Sequence, residues 1–265
     1  MIKRILQPVD LGETLSEIKI RSSFINRLSD REIILAHVVN PGLNNEDHAR
    51  SRLSHFADEL NKLGIKAKTV LRSGHVASEI AGAALDEKAG MIYMPASRKN
   101  FLVSSLMGSV TEDVVRLSDV PIFVHKQKPV LSKTENLKKV IFATDFQGAA
   151  ERAWPYVRML GEFVPELIIL HVGERASDPY TEQVRRENVQ KRLEELREKF
   201  QDDFENIRHL ARIGSPARHI IDAVDQTGAE LVVLGRMNEP FPSKILGSTC
   251  SRVTTGVKSS VLLIP

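Results

Sequence analysis

Short apolar runs alternate with amphipathic stretches along the whole chain. In the first half, runs at Lys3–Val9, Glu32–Val38, Lys66–Leu71, Met91–Met94 and Pro121–His125 predict short strands of a buried parallel sheet. Between them, Leu15, Ile18, Ser22 and Ile25 recur at spacings of three and four, which places them on one helix face. A second helix is predicted from Ala49, Leu53, Phe56, Leu60 and Leu63. The second half answers with Ala150, Ala153, Val157 and Leu160, and then with Val189, Leu193, Leu196 and Phe200. The outer face of that last helix is charged, with Glu182/Arg186 and Glu195/Lys199 four residues apart, and reads as a solvated face with weak ion pairs.

The two halves are copies of one unit. Ile5-Leu6-Gln7-Pro8-Val9-Asp10 matches Val140-Ile141-Phe142-Ala143-Thr144-Asp145 at an offset of 135. Ala36-His37-Val38 matches Leu170-His171-Val172, Arg72-Ser73-Gly74 matches Arg212-Ile213-Gly214, and Met107-Gly108-Ser109 matches Leu246-Gly247-Ser248. Four matches in one order, with offsets between 134 and 140, identify a duplication. Strands alternating with helices imply an α/β fold, with a doubly wound, five-stranded parallel sheet in each half. The predicted domains are residues 1–128 and 137–265, joined through the polar, proline-containing stretch Lys126–Asn136. So short a connection predicts packing as a pseudo-dimer, and the apolar last strand Val261–Ile264 is a candidate for pairing across halves and for a further homodimer.

Composition narrows the class. The 265 residues are 42% hydrophobic and 27% charged, with a net charge of +3, the balance of a globular protein. Residues 1–132 carry 18 basic and 15 acidic side chains, and residues 133–265 carry 19 of each. Neither half has the concentrated cationic surface of a nucleic-acid binder. No window approaches the roughly 18 consecutive apolar residues of a membrane span, and a single cysteine, Cys250, points to a reducing compartment. The expected location is the cytoplasm, with no nucleic-acid or membrane partner.

Candidate chemistry gathers at the carboxyl ends of the predicted strands, where open parallel sheets bind ligands. In the second half these positions are Asp145 after the first strand, Val172 after the second, and Gly247-Ser248-Thr249 opening the last helix. Glycine allows close backbone approach, a helix N-terminus presents unused N–H groups, and hydroxyls add donors: an anion site in physical terms. The competing explanation is that Ser109 and Ser248 merely cap their helices, and that Asp10 and Asp145 shape the turn that follows each strand.

The aspartate after strand one, the His-Val ending strand two, the Gly-Ser and the closing Val120-Pro121-Ile122-Phe123-Val124 together resemble the universal stress protein family, in two tandem copies. The resemblance implies a Rossmann-like sheet related to the adenine nucleotide alpha-hydrolases. In nucleotide-binding members, a Gly-two residues-Gly-nine residues-Gly-Ser/Thr segment holds the phosphates of ATP, and the aspartate and strand-two valine hold the adenosine end. Carried over, these positions are Asp145, Val172, Gly235, Gly247 and Ser248, with Thr249 beside them and Arg236 as a source of charge. Asn238 replaces the second glycine, with eight residues rather than nine between it and Gly247, and Cys250 falls where a hydroxyl is frequent. Asparagine tolerates left-handed geometry, which keeps that turn accessible. The first half retains Asp10, Val38, Gly108 and Ser109, but Met94-Pro95-Ala96-Ser97-Arg98 replaces the glycine-rich turn, and proline has no N–H for a phosphate. That half is expected to lack a triphosphate mode, with room only for adenosine or AMP.

The resemblance therefore implies a stress-response binding or regulatory protein whose partner is an adenine nucleotide, ATP (with Mg), ADP or AMP, held mainly in the second domain. Two other classes compete: an interaction module with both pockets degenerated, and a slow ATPase. The eight histidines show no metal-ligand spacing, His37 and His171 read as hydrogen-bonded structural residues, and neither a nucleophile elbow nor a full P-loop is present.

Overall fold

The computed structural model describes residues 2–42, 46–95, 108–126, 137–236 and 247–265. They fall into two compact units, residues up to 126 and residues from 137 onward.

The first unit runs β1 (Ile2–Pro8), α1 (Leu15–Asn26), β2 (Ser29–Val39), α2 (Glu46–Lys62), β3 (Ala67–Ser73), α3 (Val76–Asp86), β4 (Met91–Pro95), α4 (Ser109–Leu117) and β5 (Ile122–His125). Its strands lie in the order β3-β2-β1-β4-β5, every neighbouring pair parallel. The second unit runs β6 (Lys139–Thr144), α5 (Gly148–Arg152), α6 (Trp154–Leu160), β7 (Glu166–Gly173), α7 (Pro179–Phe200), β8 (Asn206–Ile213), α8 (Pro216–Thr227), β9 (Leu231–Gly235), α9 (Ser248–Gly256) and β10 (Ser260–Ile264). Its order, β8-β7-β6-β9-β10, repeats the first, again parallel throughout. In both sheets the order reverses beside the first strand, between β1 and β4 and between β6 and β9. That is where a crevice opens in a doubly wound sheet. Among the described residues no helix is long and apolar enough to cross a membrane.

Each core is built from strands buried on both faces, such as Ile5-Leu6 with Ile33-Ile34-Leu35, and Val140-Ile141-Phe142 with Leu167-Ile168-Ile169. The helix stripes read from the sequence are largely buried, with two departures. Leu63 lies beyond the end of α2 and is 56% exposed. The stripe Ala150–Leu160 is carried by two helices, α5 and α6, because Pro155 in the first turn of α6 has no N–H with which to continue α5.

The halves also differ beneath their first helix. Phe142 and Val157 fill that space in the second unit, whereas the equivalent positions in the first are Gln7 and Ser22. There the Ser22 hydroxyl donates to Gln7 Oε1 at 3.0 Å, and the neighbouring Arg21 pairs with Glu13 while buried. The charged face of α7 is less uniformly solvated than its sequence implies. Glu182 is only 8% exposed and accepts bonds from Arg185, Arg186 and the Ala176 amide. These donors hold its carboxyl far below the usual range. Glu195 and Lys199 form no pair, and the Lys199 ammonium sits 3.9 Å over the Trp154 ring instead.

Candidate functional site

A cavity of about 300 Å³ opens in the second unit at the carboxyl ends of β6, β7 and β9. Asp145, Val172, Gly235, Gly247, Ser248 and Thr249 all line it, although more than a hundred residues of chain separate the first from the last. The apolar side chains of Leu170, Ile220 and Leu234 form its walls, and Cys250 completes them. The sequence does not mark these apolar residues as part of a site, because core strands and helices need such residues in any case.

The anion-binding candidate in the lining is the start of α9. Gly247 is the N-cap, and neither it nor a neighbouring side chain caps the helix. Ser248 therefore occupies the first helical position, which excludes the capping explanation for this serine. The first intrahelical bond is Ser251 N–H to the Gly247 carbonyl, so the N–H groups of Ser248, Thr249 and Cys250 are not used by the helix. Gly247 has an ordinary negative φ of −52°, and a Cβ built on it would meet nothing within 4 Å. Neither backbone strain nor internal packing calls for glycine there; what its missing side chain leaves open is the approach to three N–H donors.

Asp145 is exposed, and its Oδ1 accepts the Gln147 N–H at 2.9 Å. The turn-forming role is therefore real, but it uses one oxygen; Oδ2 bonds to no described residue. The next residue, Phe146, has φ of +60°, a left-handed conformation that costs an L side chain roughly 1–2 kcal/mol. Its N–H is taken by the Thr144 hydroxyl at 2.9 Å. One face of its ring stacks on His171, with centroids 4.4 Å apart, and the Arg192 guanidinium lies 4.5 Å from its centroid. Arg192 Nη2 also donates to the Phe146 carbonyl at 2.8 Å. The His171 ring donates from Nδ1 to the Thr144 carbonyl at 2.9 Å, as His37 does to Val9 in the first unit at 2.8 Å. Burial, with Arg185 and Arg192 nearby, pushes the His171 imidazole below its ordinary value, so it is neutral.

Two further residues behave differently from the phosphate-binding expectation. Gly235 lines the cavity but is packed tightly, since a Cβ there would lie 2.4 Å from the Ala149 carbonyl carbon. Arg236 is 4% exposed, bonds through its amide to the Ile264 carbonyl at 2.6 Å, and is not among the lining residues. The buried Cys250 thiol points at the Gly235 carbonyl at 3.6 Å and is pushed up to about 11 by burial. Asn238 lies outside the described residues, as does most of the stretch joining the halves.

In the first unit Asp10 repeats the turn, its Oδ1 accepting the Gly12 N–H at 2.9 Å. Val38 is half-buried near the end of β2, and Gly108 caps α4 with Ser109 again in the first helical position rather than capping. Pro95 ends β4 where Gly235 ends β9. Residues 96–107, which include the rest of the replaced turn, lie outside the described residues.

Comparison with known proteins gives a consistent picture. The model of the Universal stress protein family matches residues 1–126 and again residues 136–265. Universal stress protein MJ0577 of Methanocaldococcus jannaschii is 31% identical over 158 residues, covering 48% of this chain and 97% of that protein. Among solved structures, a universal stress protein from Archaeoglobus fulgidus aligns over 98% of this chain and 95% of its own, with a TM-score of 0.72 and 22% identity. A putative universal stress protein from Pseudomonas aeruginosa aligns over 99% and 93%, with a TM-score of 0.75 and 18% identity. The last two establish likeness of fold over both halves.

Proposed function

The chain belongs to the universal stress protein family, with two such domains in tandem, and from that premise we propose that its second domain binds an adenine nucleotide and that the protein acts as a nucleotide-responsive stress protein. The observation that carries this reading is the cavity itself. It gathers into one lining a carboxylate with an oxygen that bonds no described residue, three N–H groups that the helix does not use beside an unobstructed glycine, and apolar side chains. An adenine nucleotide matches that set: a flat base against the apolar walls, hydroxyl or amino groups toward Asp145 and Val172, and phosphates at the start of α9. Ser248 and Thr249 add hydroxyl donors there. Among the described residues of the lining none is cationic, so the anion is held by backbone dipoles and hydroxyls, and buried Arg236, near enough to act on the Cys250 thiol, adds a charge behind them. Mg belongs to this proposal only as the companion of a bound triphosphate.

Among the described residues of the lining, Asp145 and Cys250 are the only titratable ones, and the thiol is protonated at neutral pH. That inventory favours a binding module over a committed ATPase. For the first domain, Pro95 favours no family-type triphosphate mode. Native mass spectrometry of protein purified from cells, followed by isothermal titration with ATP, ADP and AMP, tests the reading. Retained nucleotide, or heat fitting a stoichiometry near one per chain, supports it; neither mass shift nor heat overturns it.

A further inference from the structure

We propose that Arg192, on α7 and outside the cavity lining, is a positioning residue that sets the Asp145 carboxylate for its ligand by clamping the residue between them in the turn, Phe146; this rests on the reading of the cavity as a nucleotide site. The left-handed Phe146 sits where the chain turns from β6 toward α5, and its conformation places the Gln147 N–H that holds Asp145 Oδ1. Four interactions hold that turn. Thr144 Oγ1 takes the Phe146 N–H, Asp145 Oδ1 takes the Gln147 N–H, His171 supports one ring face, and Arg192 covers the ring and bonds the Phe146 carbonyl. Only Arg192 comes from outside the strand ends, so it couples the aspartate turn to the long helix α7.

The duplication supplies an independent observation. Arg52 precedes Leu53 on α2 as Arg192 precedes Leu193 on α7, and its Nε donates at 2.6 Å to the carbonyl of Leu11, the residue after Asp10. The same guanidinium reaches the Glu13 carbonyl at 3.0 Å. Two halves that differ at their strand-end glycine and beneath their first helix thus share an arginine bonded to the same carbonyl of the aspartate turn. No core requirement accounts for this, because Arg192 is exposed.

The test is a double-mutant cycle on AMP affinity with Arg192→Ala and Asp145→Asn, the latter keeping an oxygen for the Gln147 N–H. Arg192→Ala is expected to weaken AMP about tenfold in the wild-type background and less than about twofold in the Asp145→Asn background, with the melting temperature unchanged. Equal losses in both backgrounds, or no loss in either, would overturn the proposal. Hydrogen exchange without ligand provides a second readout: the Phe146 and Gln147 amides should exchange at least about tenfold faster in Arg192→Ala, while the β6 and β7 core amides keep their rates. Unchanged exchange at these two amides refutes the clamp whatever binds. If wild-type protein binds no AMP but exchange does accelerate, the nucleotide reading falls and Arg192 stands as the residue that orders the turn.

Discussion

Gly235 lies so close beneath Ala149 that a Cβ on the glycine would fall 2.4 Å from the Ala149 carbonyl carbon and 2.7 Å from the Ala150 nitrogen. The first turn of α5 can therefore rest directly on the end of β9 only because that position has no side chain. A Cβ on Gly247, in the lining of the same cavity, would meet nothing within 4 Å. Two glycines of one sequence motif thus have opposite physical reasons for being glycine, and substitution separates them.

Gly247→Val should leave stability within about 0.5 kcal/mol of wild type, since the new side chain enters open space and φ is ordinary. It should also weaken AMP or ATP at least about a hundredfold by covering the α9 amides. Melting curves with and without nucleotide check both parts: an unchanged melt and a missing ligand shift.

Gly235→Ala should do the reverse first. The methyl group must displace backbone rather than a flexible side chain, an overpacking expected to cost about 2–3 kcal/mol. Urea unfolding of the second domain measures it, and a midpoint equal to wild type would contradict the packing described.

The alternation of apolar runs and helix stripes was enough to read the two sheets and the cluster of positions at the strand ends, because buried parallel strands leave a strong imprint. The role of each site residue was harder to read. Ser248 and Ser109 stand where a cap would stand, and only the backbone shows that glycine is the N-cap. Glu182 looked like one member of an exposed charged face because periodicity does not register the loop amide of Ala176 that encloses it. Arg192 was invisible for a different reason: its partner is a backbone carbonyl, which carries no residue identity. Its one legible trace was the repetition of Arg52 at the same helix position.

The pH dependence of the second domain should report His171. Burial lowers its folded value below the ordinary value of about 6.5, so between the two the unfolded chain binds a proton that the native state refuses. Stability is therefore full above about pH 6.5 and falls as pH drops toward the folded value. Urea midpoints from pH 7 to 5 should decline more steeply for wild type than for His171→Asn; parallel profiles would contradict this.

Cys250 is the only thiol of the chain, so its alkylation can be followed without ambiguity. With the thiol raised to about 11 by burial, only about 0.1% is thiolate at pH 8. Iodoacetamide should react slowly, with a rate rising about tenfold per pH unit through pH 9 and 10, and more slowly again with AMP present. A rate that levels off below pH 9 would show an activated thiol instead.

The openness around Gly247 also bears on how such a chain changes over generations. A substitution at position 235 is exposed to selection through folding itself, whereas one at position 247 leaves the fold intact and alters only what the pocket admits. The ligand binding proposed for this domain would therefore be lost, or redirected to a smaller ligand, in a single step that folding quality control does not detect, and a sound fold in a descendant would be no guide to whether it still binds.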